Sequence, residues 1–142
     1  MPIQELQARQ CHDLREADPS IVHLDVRTPD EFAAGHPAGA RNVPIFLAGP
    51  GGMTPNPDFL RVATRVTPEK ARRVVLSCAM GGRSMRACHA LEGAGYSQLV
   101  NMVGGFSGYR DPSGELVVAG WADAGLPVST ETGDAAWDKL RT

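Results

Sequence analysis

Ser77-Cys78-Ala79-Met80-Gly81-Gly82-Arg83-Ser84 brings together residue types that can do chemistry at close spacing. A thiol follows the apolar run Val74-Val75-Leu76, a glycine pair comes next, and a cation and a hydroxyl close the stretch. Glycines let a chain curl so that successive backbone N–H groups converge. At the start of a helix such a nest carries partial positive charge and binds anions. The helix dipole adds to it. A cysteine at the mouth is stabilised as thiolate, which is expected to bring its pKa below the ordinary value of ~8.5. Arg83 adds a full charge nearby. The expected product is a nucleophilic sulfur inside an anion cradle. The competing reading, a buried core thiol beside a turn, has no use for the glycine pair, Arg83 and Ser84 together.

Such a loop needs a strand before it and a helix after it. Residues 74–77 form the clearest strand signal in the chain, and residues 84–94 read as a helix, with Ala87, Ala90, Leu91 and Ala94 at helical spacing and Gly95 as its stop. Upstream, residues 21–26 read as a buried strand ending beside Asp25 and Arg27. Thr28-Pro29-Asp30-Glu31 has the signature of a capping box with proline at the first helical position, and Gly35 and Pro37 keep that helix short. Residues 41–45 and 98–102 read as further strands, and Asn56-Pro57-Asp58 opens a helix to about residue 65 with Phe59, Leu60 and Ala63 inward. Residues 48–57, rich in Gly and Pro, read as a loop. Strands alternating with helices predict an α/β fold with a mainly parallel central sheet covered by helices on both faces. Ligands of such folds bind at the carboxyl ends of the strands, where Cys78 falls. Residues 129–142 read as a tail with a short helix carrying Trp137 and Leu140.

The chain has 142 residues, enough for one domain, and 42% hydrophobic residues, enough for a core. A net charge of −2 gives no electrostatic footprint for nucleic acid or an anionic membrane. The apolar runs are too short to span a bilayer, and the first ten residues show no signal-peptide pattern, so a cytoplasmic protein is expected. Three cysteines cannot all pair, and their spacing fits no zinc ligand set, so reduced thiols are expected, each a buried small hydrophobe or a reactive group. Cys88, one turn into the helix after the loop, is expected to be buried. Cys11 lies in a polar N-terminal stretch where an exposed position and a resolving role are the alternative. Trp121 and Trp137 read as packing residues, and His89 has no partner in sequence.

The loop Cys78-Ala79-Met80-Gly81-Gly82-Arg83-Ser84 resembles the active-site loop of rhodaneses, sulfurtransferases whose cysteine carries a persulfide. Leu24-Asp25-Val26-Arg27, Asp30-Glu31-Phe32, Gly35-His36 and Gly39-Ala40-Arg41-Asn42-Val43-Pro44 are similar to the upstream signature of that family. Gly104-Gly105-Phe106 and Trp121-Ala122-Asp123-Ala124-Gly125-Leu126-Pro127-Val128 are similar to its downstream signatures. The resemblance implies a rhodanese-like domain over residues 1–128. It departs from the pattern at Pro37-Ala38, where an aliphatic residue and then proline are usual, and at Tyr109, where tryptophan is common. The resemblance implies that Cys78 takes sulfane sulfur from a donor, thiosulfate or a persulfide, and passes it to cyanide or a thiol, with no metal and no organic cofactor needed. Ala79, Met80, Gly81, Gly82, Arg83 and Ser84 would hold the anions. Asp25 and Arg27 would support the loop, or form a surface or interstrand ion pair. His36 matches a structural position of the family. Thiosulfate-specialised members often carry basic residues where Ala79 and Met80 stand, which weighs against thiosulfate as preferred donor.

Two other readings compete. A protein sulfur donor or acceptor would make the chain a carrier or interaction module. Cysteine phosphatases, and the related arsenate reductases, use a similar cradle but a longer one; the segment Ala79-Met80-Gly81-Gly82 between thiol and arginine suits one bound sulfur better than a tetrahedral phosphate, and no acidic residue flanks the loop as general acid.

Overall fold

The structure is a computed structural model of the chain and describes residues 3–142. In chain order its elements are β1 (Gln4–Gln7), α1 (Ala8–Ala17), β2 (Val22–Asp25), α2 (Pro29–Ala34), β3 (His36–Pro37), β4 (Arg41–Asn42), β5 (Phe46–Gly49), β6 (Gly52–Pro55), α3 (Phe59–Val66), β7 (Val74–Ser77), α4 (Gly82–Gly93), β8 (Leu99–Val103), β9 (Tyr109–Arg110), β10 (Leu116–Val118), β11 (Val128–Ser129), a 3-10 turn (Gly133–Ala135) and α5 (Trp137–Leu140).

Five strands form a parallel sheet in the order β1-β8-β7-β2-β4. β7 lies at its centre, with all four residues buried. Side chains alternate across a strand, and here they divide the core in two. Val74 and Leu76 point to one face, where they meet Leu24 of β2, Phe59 and Val62 of α3, and Leu91 of α4. Val75 points to the other, with Val100 and Met102 of β8, Ala8 and Cys11 of α1, and Trp121. Helices therefore cover both faces, as the alternating pattern predicts. The register sets Asp25 beside Ser77, and Val26 donates its N–H to the Ser77 carbonyl at 2.9 Å. The carboxyl ends of β2 and β7 are thus level, and the segments that follow them meet.

The Thr28 cap forms as the sequence suggests. The Thr28 hydroxyl oxygen accepts the Glu31 N–H, and the Glu31 carboxylate accepts the Thr28 N–H at 3.1 Å, with Pro29 in the first turn. Two expectations are corrected. The segment read as a loop over residues 48–57 is mostly a hairpin, in which β5 and β6 pair antiparallel from Phe46 opposite Pro55 to Gly49 opposite Gly52. Its glycines and proline are the turn and its flanks, so they punctuate a strand pair instead of replacing it. The polar N-terminal stretch is not open either. Ala8 and Cys11, one turn apart, are the residues of α1 that face the sheet, and Cys11 is fully buried. The tail returns to the domain: β11 pairs with β3, and Trp137, at the start of α5, is buried in the same cluster as Phe59 and Val62.

Candidate active site

Cys78 is the first residue beyond β7. Its side chain is 1% exposed. The Gly81 N–H donates to its Sγ at 3.0 Å, and Ser84 Oγ lies 3.4 Å away. Burial by itself fits a core thiol, but a core thiol needs neither of these polar neighbours. Gly81 turns the chain with φ of +124°, a conformation that favours glycine, and α4 begins at the next residue, two positions earlier than the sequence spacing suggests. The first-turn N–H groups of Gly82, Arg83 and Ser84 have no carbonyl partner within their helix. They bring the positive end of the α4 dipole to the cradle. Ala79 is half-buried, and Met80 at the loop tip is 58% exposed.

A second turn braces the first. Phe106 and Ser107 donate their N–H groups to the carbonyls of Cys78 (2.7 Å) and Ala79 (2.9 Å). That approach needs Gly105, whose φ is +55° and whose place could hold no Cβ: one would stand 2.6 Å from the Ala79 carbonyl carbon. Phe106 lies under Arg27, whose guanidinium carbon is 4.5 Å from the ring centroid. Arg27 is buried and donates to both Asp25 carboxylate oxygens and to the Gly35 carbonyl at 2.7 Å. Asn42 ties down the carbonyls of Asp25 (3.0 Å) and Arg27 (2.9 Å). The Asp25–Arg27 pair is therefore buried, not a surface pair, and it reaches the loop through Phe106.

Arg83 does not point a free charge at the sulfur. It forms a two-pronged ion pair with Glu31, at 2.7 and 2.9 Å. The hydrogen-bonded guanidinium holds the Glu31 carboxyl down at about 2, against burial, which pushes it up. The expected cation of the cradle is thus neutralised by a carboxylate. Ser84 is buried and its hydroxyl lies within hydrogen-bond reach of Asn101 Oδ1, of the Gly81 carbonyl (3.1 Å) and of Cys78 Sγ. With one proton to give, it can donate to only one of the three at a time.

Glu31, Asn101 and His23 were not singled out as site residues by the sequence. Glu31 reads as a helix cap, which it also is. Asn101 and His23 carried a signal: each is a polar residue at an interior strand position. Arg15 donates to His23 Nδ1 at 3.1 Å, so the proton sits on Nε2, which donates to Ser77 Oγ at 2.7 Å. Burial, with Arg15 and Arg27 nearby, holds His23 neutral well below its usual range. Cys11 and Cys88 are both fully buried, and burial pushes their thiols up to about 12, away from the thiolate form that a resolving role needs. His36 stacks on Phe32 with centroids 3.6 Å apart, and His89 is exposed beside Glu92. A cavity of about 720 Å³ lies at the opposite end of the sheet, around Arg15, His23, Arg41 and Arg72. Cys78 does not line it, and its cations Arg15 and Arg72 are already bonded within the protein. Size alone does not place chemistry there.

Residues 7–112 match the family described as Rhodanese-like domain. The chain is 39% identical over 118 residues to Thiosulfate sulfurtransferase 16, chloroplastic, of Arabidopsis thaliana, covering 83% of this chain and 86% of that one. It is 31% identical over 113 residues to a sulfurtransferase of Allochromatium vinosum, covering 80% and 82%. Some other curated relatives are longer, and the chain spans about half their length. The crystal structure of Rv0390 from M. tuberculosis superposes with a TM-score of 0.74 at 25% identity, covering 92% of this chain and 100% of that one. A cysteine loop between a parallel strand and a helix, braced by a glycine turn, thus occurs in a chain that belongs to the rhodanese-like domain family.

Proposed function

We propose that the protein is a sulfurtransferase that carries sulfane sulfur on Cys78. The observation that carries this reading is the Gly81 N–H aimed at Cys78 Sγ at the amino end of α4. Relatives named as thiosulfate sulfurtransferase and sulfurtransferase support it. In the first step the Cys78 thiolate attacks the outer sulfur of a donor, thiosulfate or a persulfide. The donor's S–S bond breaks, and sulfite or a thiolate leaves with the electron pair. Cys78 is left as an anionic persulfide. In the second step cyanide or a thiol attacks the outer sulfur, departs as thiocyanate or a new persulfide, and regenerates the thiolate. One difficult transfer is split into two easier ones. The N–H groups of residues 79–84 hold the persulfide anion, an oxyanion-hole type of role.

Steady-state kinetics with donor and cyanide test the reading. A ping-pong pattern of parallel double-reciprocal lines, with the rate lost in Cys78→Ser, is expected. Intersecting lines, or full rate in Cys78→Ser, would reject it. The exposure of Met80 beside an enclosed sulfur favours one second reading, transfer to or from a protein partner that docks on the loop tip. A rate with small acceptors that stays low until such a partner is added would distinguish it.

A further inference from the structure

We propose that Glu31 selects the sulfur donor by charge: by engaging Arg83 it makes the site take a singly charged sulfane-sulfur donor with an apolar body in preference to doubly charged thiosulfate. The inference rests on the sulfurtransferase reading and narrows its donor.

Five observations carry it. The Arg83–Glu31 pair is two-pronged, and both side chains are largely shielded, at 22% and 33% exposed. Glu31 is also fixed from behind, by the Thr28 N–H (3.1 Å) and the Thr28 hydroxyl (3.0 Å), so it is not a mobile surface acid that a donor would displace. The next cation, Arg27, is closed onto Asp25 in the interior. Arg86, one turn further along α4, stands over the Phe46 ring of the β5–β6 hairpin, 5.4 Å from its centroid. Residues 79–82 are Ala, Met, Gly and Gly, with no charge of their own.

Arg86 keeps its charge but holds it over the hairpin ring, so what remains positive within the loop itself is the backbone N–H nest and the helix end, together worth roughly half an elementary charge. That balances part of a monoanion and leaves most of a dianion uncompensated. The exposed Met80 and half-buried Ala79 offer contact to an apolar group instead. A thiosulfonate, R–SO2–S⁻, has this combination. The Cys78 thiolate attacks its terminal sulfur, the S–S bond breaks, and a sulfinate leaves with the electron pair. The same persulfide results as from thiosulfate, where the leaving group is sulfite.

The test compares kcat/KM for thiosulfate and for benzenethiosulfonate, with cyanide as acceptor, in the wild type, Glu31→Gln and the double variant Glu31→Gln/Arg83→Gln. Glutamine is accepted at the third position of a capping box, so α2 keeps its cap while the carboxylate is lost. The wild type is expected to favour the thiosulfonate. Glu31→Gln should raise kcat/KM for thiosulfate about tenfold, mainly through KM, with the thiosulfonate value changing by less than about threefold. Removing Arg83 as well should return the ratio of the two donors to its wild-type value. The proposal is overturned if the wild type prefers thiosulfate, if Glu31→Gln changes both donors equally, or if the double variant keeps the gain. If neither donor places sulfur on wild-type Cys78, the sulfurtransferase reading falls with it, a result distinct from an unmoved ratio.

Discussion

The residues around Cys78 combine a buried thiol with polar neighbours that each have a second task. Gly81 is both a turn and a donor to the sulfur, Ser84 both a helix residue and a contact to it, and Glu31 both a cap and the partner of Arg83. Behind them His23 joins Arg15 to Ser77 in the interior. This buried histidine makes stability depend on pH. Its folded-state pKa is depressed well below 6.5, because burial and two arginines oppose its charge. The unfolded chain therefore takes up a proton that the folded chain refuses once pH drops through 6.5. Stability is full above that value and falls below it, at up to about 1.4 kcal/mol per pH unit for one proton. Glu31, depressed from 4.5 to about 2, adds a further loss as pH falls between those values. Urea midpoints measured between about pH 8 and about pH 4 should show the first decline, and His23→Gln should flatten it. A wild-type midpoint that is level across pH 6.5 would contradict the assignment of His23 as buried and neutral.

At the scale of elements, the loop after β7 depends on the turn after β8. The Phe106 and Ser107 N–H groups hold it from outside, and Gly105 is what lets the two backbones meet. Gly105→Ala adds both a strained backbone at φ of +55° and an overlap with the Cys78 carbonyl and Ala79. It should cost about 2–4 kcal/mol and lower kcat by at least about tenfold. Gly125→Ala is the comparison: φ is +71° there too, but nothing lies within 4 Å of the added Cβ, so only the conformational cost of about 1 kcal/mol is expected. Equal effects of the two substitutions would show that the brace has no role. The elements nearest this junction were the ones the sequence showed clearly. β7 is a β-branched run, α2 has its cap, and the glycine loop has its spacing. β1 and α1 were not legible, because β1 is an edge strand with three of four residues exposed and α1 presents only Ala8 and Cys11 to the core. The β5–β6 hairpin hid behind its own turn residues. The Arg83–Glu31 pair joins positions 52 apart, and no local pattern encodes such a contact.

Across the whole molecule, a parallel sheet buried on both faces leaves only its ends free for function. Connections at the carboxyl end supply the loop, the capped helix and the glycine turn that meet at Cys78. α5, beyond the last of these, seats Trp137 in the core on the α3–α4 face, so the tail belongs to the folding unit. The family and the fold follow from the comparisons, and the chemistry rests on one sulfur atom. Intact mass of the protein tests that directly, before and after thiosulfate or benzenethiosulfonate, and again after cyanide, beside Cys78→Ala. Sulfur transfer through Cys78 requires a gain of one sulfur atom on the wild type, its removal by cyanide, and no gain on Cys78→Ala. Sulfur retained by Cys78→Ala, or none added to the wild type by either donor, would contradict it.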